Sequence, residues 1–186
     1  MNLYRTKWLW FAVVFSFFCT LLLAEEEYHP SEISLGMGSY FFMSSLPTYY
    51  GKEAWGEKLA YSYGLPKEQS VTNVFISLEH FNPTKNGYNN RTVVLTVGTA
   101  YPIYNTGSAT LISKLGLDLT YWEREKTFIL KQTTLAQVFI GAMFDLTFRF
   151  DLEKYGAMDL SIDYHLQEFS FQSRYMSTYL QYVWRI

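Results

Sequence analysis

Asp163 and His165 stand two residues apart near the C-terminus, with Ser161 before them and Ser177 further along. A hydroxyl, an imidazole and a carboxylate are the parts of a serine hydrolase, provided they come within hydrogen-bond reach. Residues i and i+2 on one face of a strand are roughly 6.5–7 Å apart. Ser161, Asp163 and His165 therefore cannot close a triad by themselves, and Ser177 would have to fall opposite His165. The speculative catalytic set is His165, Asp163 and Ser177. No metal or cofactor site is expected: His29, His80 and His165 are far apart, and Cys19 is the only cysteine. Gly36-Met37-Gly38 lies within an alternating segment and reads as close packing or curvature, not as a phosphate loop. Asn90-Arg91-Thr92 is a chance match to a glycosylation sequon.

These residues belong to a chain with 15 Lys+Arg, 17 Asp+Glu and no basic run, which excludes a nucleic-acid binder. The one long apolar stretch is N-terminal. Arg5 and Lys7 precede an uncharged run from Trp8 to Leu23, and Ala24 leads into Glu25-Glu26-Glu27. That is the build of a secretory signal peptide over residues 1–24, with cleavage after Ala24. Leu22 is larger than the residue usual three positions before a cleavage site, and an uncleaved anchor is the alternative. Cys19 follows Phe18 and lacks the small neighbour of a lipoprotein cysteine. Residues 25–186 then form a single exported domain without disulfides.

That domain alternates with a period of two, the signature of strands with one apolar face. Val138, Ile140, Ala142, Phe144, Leu146, Phe148, Phe150 and Leu152 share one face, while Gly141, Asp145, Thr147, Arg149 and Asp151 share the other. The same rhythm runs over Ile33–Met43, Val74–Leu78, Val93–Ile103, Ala109–Tyr121, Met158–Leu166 and Met176–Ile186. Turns are expected at Asn82–Gly87, Asn105–Gly107, Glu123–Lys126, Glu153–Gly156 and Gln172–Ser173. These are seven strands. The eighth is either Thr127–Lys131 or a segment around Lys58–Tyr63, unless Lys126–Leu152 is one long strand.

Strands of about 11–15 residues suit a tilted membrane crossing better than the ~5–6 residues common in globular sheets. The face opposite the apolar one mixes small, polar and charged residues, as a narrow lumen requires. Aromatics gather at strand ends, among them Tyr121, Trp122, Tyr182 and Trp184, placed for a membrane interface. The chain resembles the small eight-stranded outer-membrane barrels of Gram-negative bacteria, the OmpA/OmpX type, over residues 31–186. Its closing Leu180-x-Tyr182-x-Trp184-x-Ile186 is similar to the C-terminal assembly signal of that class, though it ends in Ile where Phe or Trp is usual. The expected fold is thus all-β: an antiparallel, up-and-down transmembrane β-barrel of eight strands. The resemblance implies a monomer in the outer membrane, with lipid and the barrel-assembly machinery as partners.

Eight strands leave a lumen only wide enough to be filled by side chains. Lys114, Asp118, Asp145, Arg149, Asp159, Asp163 and Arg185 are expected to form an ion-pair network there, with Arg149 and Lys114 near its centre. The connection 44–70, holding Tyr49, Tyr50, Trp55, Tyr61 and Tyr63, is expected as the chief external loop. A structural or surface-interaction role, such as envelope integrity or adhesion, follows from this reading. A lipid-modifying hydrolase is the alternative, although outer-membrane lipid A deacylases have His-x-Ser where this chain has His165-Leu166-Gln167. A soluble lipocalin-like binder, its leucine rows turned inward, is the second. The expressed protein should fractionate with outer membranes and run as a band that shifts on boiling in SDS gels. A soluble, unshifted band would turn the faces inside out.

Overall fold

A computed structural model describes residues 31–44, 53–64, 73–82, 84–85, 88–128, 131–168 and 173–186. Eight long strands dominate: β1 Glu32–Ser44, β2 Glu53–Gly64, β3 Asn73–Phe81, β5 Tyr88–Asn105, β6 Ala109–Phe128, β7 Lys131–Asp151, β8 Ala157–Gln167 and β9 Ser173–Arg185. A two-residue strand, β4 Thr84–Lys85, pairs with the start of β5. Each long strand is antiparallel to its neighbours in sequence, β1 also pairs with β9, and β3 pairs with β5. The sheet is a closed eight-stranded barrel with no free edge. Both described ends of the chain lie together, where the Ile186 N–H donates to the Ser31 carbonyl at 2.8 Å.

Local chemistry explains the reversals at that end. At Asn105-Thr106-Gly107, Gly107 adopts φ +88° and donates its N–H to Asn105 Oδ1 at 2.7 Å. Between β7 and β8, the Glu153–Tyr155 turn of 3₁₀ helix closes with Gly156 at φ +100°. The Asp151 N–H donates to Ser108 O and links the two turns. At the opposite end, Lys85 pairs with Tyr88 across the Asn86-Gly87 step.

Two expectations need correction. The 44–70 connection is not one loop, because β2 occupies its centre and pairs along β1 and β3. Trp55 and Tyr61 are exposed on the outer face of that strand and Tyr63 is half-buried, whereas Tyr49 and Tyr50 lie outside the described residues. In Glu53–Gly64 the outward row of Trp55, Leu59, Tyr61 and Tyr63 is broken by Glu57, and the inward row is Ala54, Gly56, Lys58, Ala60 and Ser62, so the period does not stand out as a hydropathy pattern. Likewise, Glu123–Lys126 continues β6, and the chain reverses between the paired Phe128 and Lys131. The signal peptide expected over residues 1–24 lies outside the described residues.

Odd positions of β1 face out and even ones face in, and every long strand keeps such a division. Leu35, Leu117 and Leu180 are 51, 44 and 56% exposed, whereas Glu79, Asp145, Asp163 and His165 are fully buried. This rules out the lipocalin-like alternative, in which charges would meet water and leucines would line the cavity. Glycines make room for the rings inside. A Cβ on Gly38 would lie 2.1 Å from the Thr178 carbonyl and 2.5 Å from the Tyr179 ring. Facing it on β2, Gly56 accommodates Tyr40 in the same way. Gly38→Val should destabilise the barrel by roughly 1–3 kcal/mol, since backbone cannot yield as a side chain can. The outward Met37→Val should change stability by less than about 0.5 kcal/mol. Urea unfolding of the refolded barrel in detergent, followed by tryptophan fluorescence, compares the two.

Candidate functional site

The inward residues form three layers. At the terminal end, Arg149 on β7 reaches Asp159 on β8 through Nε and Nη2, at 2.8 and 2.9 Å. Its Nη1 donates to both oxygens of Glu32 on β1, at 2.9 and 2.8 Å. A planar guanidinium suits this double engagement. Arg185 donates to Asp151 at 2.8 Å and sits 3.9 Å from Glu32, at the rim. The Asp151 carboxylate also accepts from the Glu153 N–H at 2.7 Å. Inside this rim a cavity of about 260 Å³ extends as far as Lys58 and Lys114.

The middle layer is where charge is most concealed. Lys58 on β2 contacts Glu79 Oε1 on β3 at 3.1 Å, pairs with Asp163 on β8, and lies 4.9 Å from the centre of the Tyr179 ring. Glu79 Oε2 accepts from the hydroxyls of Tyr179 at 3.1 Å and Tyr40 at 3.3 Å. His165 Nδ1 lies 2.7 Å from Asp118 Oδ2, and Asp118 Oδ1 accepts from the Thr96 hydroxyl at 2.7 Å. His165 Nε2 faces Glu79 Oε2 at 3.8 Å. Lys114 pairs with Asp145 at 3.1 Å, and the Thr147 hydroxyl donates to the same carboxylate at 2.5 Å. Isolated charges here would cost several kcal/mol each, so cross-strand pairing is obligatory.

Aromatic rings fill the third layer, toward the opposite end. Tyr40, Phe42, Phe81, Trp122, Tyr175 and Tyr179 form one buried cluster. Tyr40 stacks on Phe81 at 3.9 Å, and the His165 ring lies parallel to Tyr175 at 4.3 Å. Trp122 is therefore not an interface aromatic. It has the opposite parity from Tyr121 and faces inward at 7% exposure, while Tyr121 and Trp184 face outward. Tyr182 packs edge-on to Trp184 at 4.6 Å and donates to the Tyr155 carbonyl.

The expected lumen residues Lys114, Asp118, Asp145, Asp159 and Asp163 are all on the inner face, with Arg185 at the rim. The network's centre differs from expectation. It is Lys58, from the strand hidden in the 44–70 connection, while Arg149 braces the terminal end. Glu32 also enters, a residue whose even parity with Ser34 was the available signal. The triad parts are not assembled as required: Ser177 is paired with Asp163, and His165 with Tyr175. Instead Glu79, Asp163 and His165 converge, each offering one ligand atom within 4.8 Å of the others. Histidine spacing along the chain concealed this, because two of the three partners are carboxylates and one is on a distant strand.

A closed eight-stranded barrel with an outward apolar surface and a charged interior is the fold of the small outer-membrane β-barrels. Solved structures of that class are similar over nearly their whole length. Neisserial surface protein A matches at TM-score 0.67 and 9% identity, covering 84% of this chain and 97% of that one. Ail, the attachment invasion locus protein of Yersinia pestis, matches at 0.59 and 14%, covering 85% and 100%. A major outer membrane protein from Thermus thermophilus matches at 0.59 and 11%, also covering 85% and 100%. No family model and no curated protein sequence matches the chain. At these identities the likeness is one of fold.

Arg149→Ala should lower barrel stability by about 3 kcal/mol, because Glu32 and Asp159 would be left facing each other without their cation. The urea midpoint of the refolded variant measures this, and an unchanged midpoint would remove Arg149 as a brace.

Proposed function

We propose that this protein is a non-conducting outer-membrane barrel with a structural or surface-interaction role, such as envelope integrity or adhesion. The observation that carries this reading is the filling of the lumen. The cavity at the terminal end meets the Lys58 layer, and beyond it the rings of Tyr40, Phe42, Phe81, Trp122 and Tyr175 are packed together. A lumen filled in this way suits a rigid scaffold, leaving the ends of the barrel and its connections to meet partners. A similar solved barrel is named for attachment and invasion, and another structure of it holds the heparin analogue sucrose octasulfate. Those names support a surface role in general and do not identify a ligand for this chain.

The closed sheet offers no edge for strand pairing between copies, which favours a monomer. The outward Leu180, Trp184 and Ile186 of the last strand and its end are 56, 43 and 59% exposed. In this reading they face lipid and supply the assembly machinery with its recognition surface. The hydrolase reading is disfavoured by geometry, since His165 is fully buried, bound to Asp118 and separated in register from Ser177. Reconstitution in planar bilayers should give no stable unitary conductance. Reproducible single-channel steps from the folded barrel would replace the scaffold reading with a pore.

A further inference from the structure

The middle layer has more buried negative charge than its own side chains neutralise. Glu79, Asp118, Asp145 and Asp163 are at most 4% exposed, and only Lys58 and Lys114 oppose them there. The terminal layer has no positive charge to spare, since Arg149 and Arg185 face Glu32, Asp151 and Asp159. If the four carboxylates are ionised and His165 is neutral, the two ammonium groups leave two negative charges, which either protons or one divalent cation would balance.

Side-chain geometry indicates where such a cation would go. Asp118 accepts the Nδ1 proton of His165 and is itself held by Thr96, the arrangement that fixes a metal-bound imidazole through its far nitrogen. His165 Nε2 is fully buried and has no hydrogen-bond partner among the described residues, with Glu79 Oε2 3.8 Å away. Asp163 Oδ1 is also fully buried and unpartnered, and Glu79 stands beside both. We propose that Glu79, Asp163 and His165 form a buried site for one divalent transition-metal ion, of which zinc is the best-suited common example. One imidazole and two carboxylates are a borderline-to-hard donor set that zinc accepts.

Lys58 is the competing cation, because its ammonium already contacts Glu79 and Asp163. It also borders the cavity that opens at the terminal end, which provides both an entry path and room for its flexible stem to withdraw. Metal and lysine are thus alternative occupants of one carboxylate pair. This makes an unusual prediction: removing a buried salt-bridge partner should improve binding of another ligand.

The test is to refold the full barrel from urea with and without zinc chloride, dialyse it, and measure zinc per chain by elemental analysis. The proposal expects one zinc per folded barrel, released by EDTA with acid treatment and accompanied by a higher temperature for the boiling-induced gel shift. Asp118→Asn, which leaves the three proposed ligands in place and alters the group that holds the imidazole, should weaken zinc binding about 10- to 100-fold. His165→Gln should abolish it at the same zinc concentration, and Lys58→Met should bind more tightly than the natural chain. A natural barrel that keeps no stoichiometric zinc overturns the proposal and leaves protons to balance the cluster. So does a folded His165→Gln barrel that keeps as much zinc as the natural one, or a folded Lys58→Met barrel that keeps less. The natural-chain measurement decides the matter even where a variant fails to fold.

Discussion

Ionisable groups on the inner face of this protein's strands must find their partners inside a tube eight strands wide. Lipid offers nothing to a carboxylate, and the barrel wall separates it from bulk water. That constraint explains why Lys58 meets both Glu79 and Asp163, and why Arg149 engages two carboxylates with one guanidinium. It also accounts for the glycines at 38 and 56. A lumen that must hold Tyr40 and Tyr179 as well as the ion pairs has no room for another Cβ beside those rings.

The interior is accordingly graded along the barrel axis. Charged groups at the terminal end are partly exposed, as Arg185 and Asp151 are at the rim. Those in the middle are more deeply buried, and the aromatic layer beyond them lies toward the other end. Tyr179 and Tyr40 join the two deeper layers, since their rings belong to the aromatic cluster while their hydroxyls hold Glu79. Such amphipathic side chains let a carboxylate lie against a hydrophobic cluster without losing its hydrogen bonds.

The likeness to Neisserial surface protein A and to Ail at 9 and 14% identity shows how little of this architecture depends on particular residues. What the fold requires is alternation, eight strands and a closed hydrogen-bond ladder. Chemistry is left to the inward positions, and each chain can fill those differently. For this one, they bring together three carboxylates, a lysine and a histidine within contact of one another, from β2, β3, β6 and β8.

Period-two alternation made the barrel and the direction of its faces legible before any coordinates, because leucine rows opposite Gly, Thr and Asp can satisfy lipid outside and a narrow lumen inside. Asn105–Gly107 and Glu153–Gly156 were readable turns for the same reason that glycine tolerates positive φ. Strand β2 was only one of several candidates for the eighth strand, since Glu57 breaks the outward row of Trp55, Leu59, Tyr61 and Tyr63. Trp122 illustrates another limit: its neighbour Tyr121 faces lipid, and aromatics suit either side of the wall. Register is set by hydrogen bonding across strands, not by local pattern. It was therefore tertiary structure alone that placed Ser177 beside Asp163, gave His165 to Asp118, and made Lys58 the centre of the network.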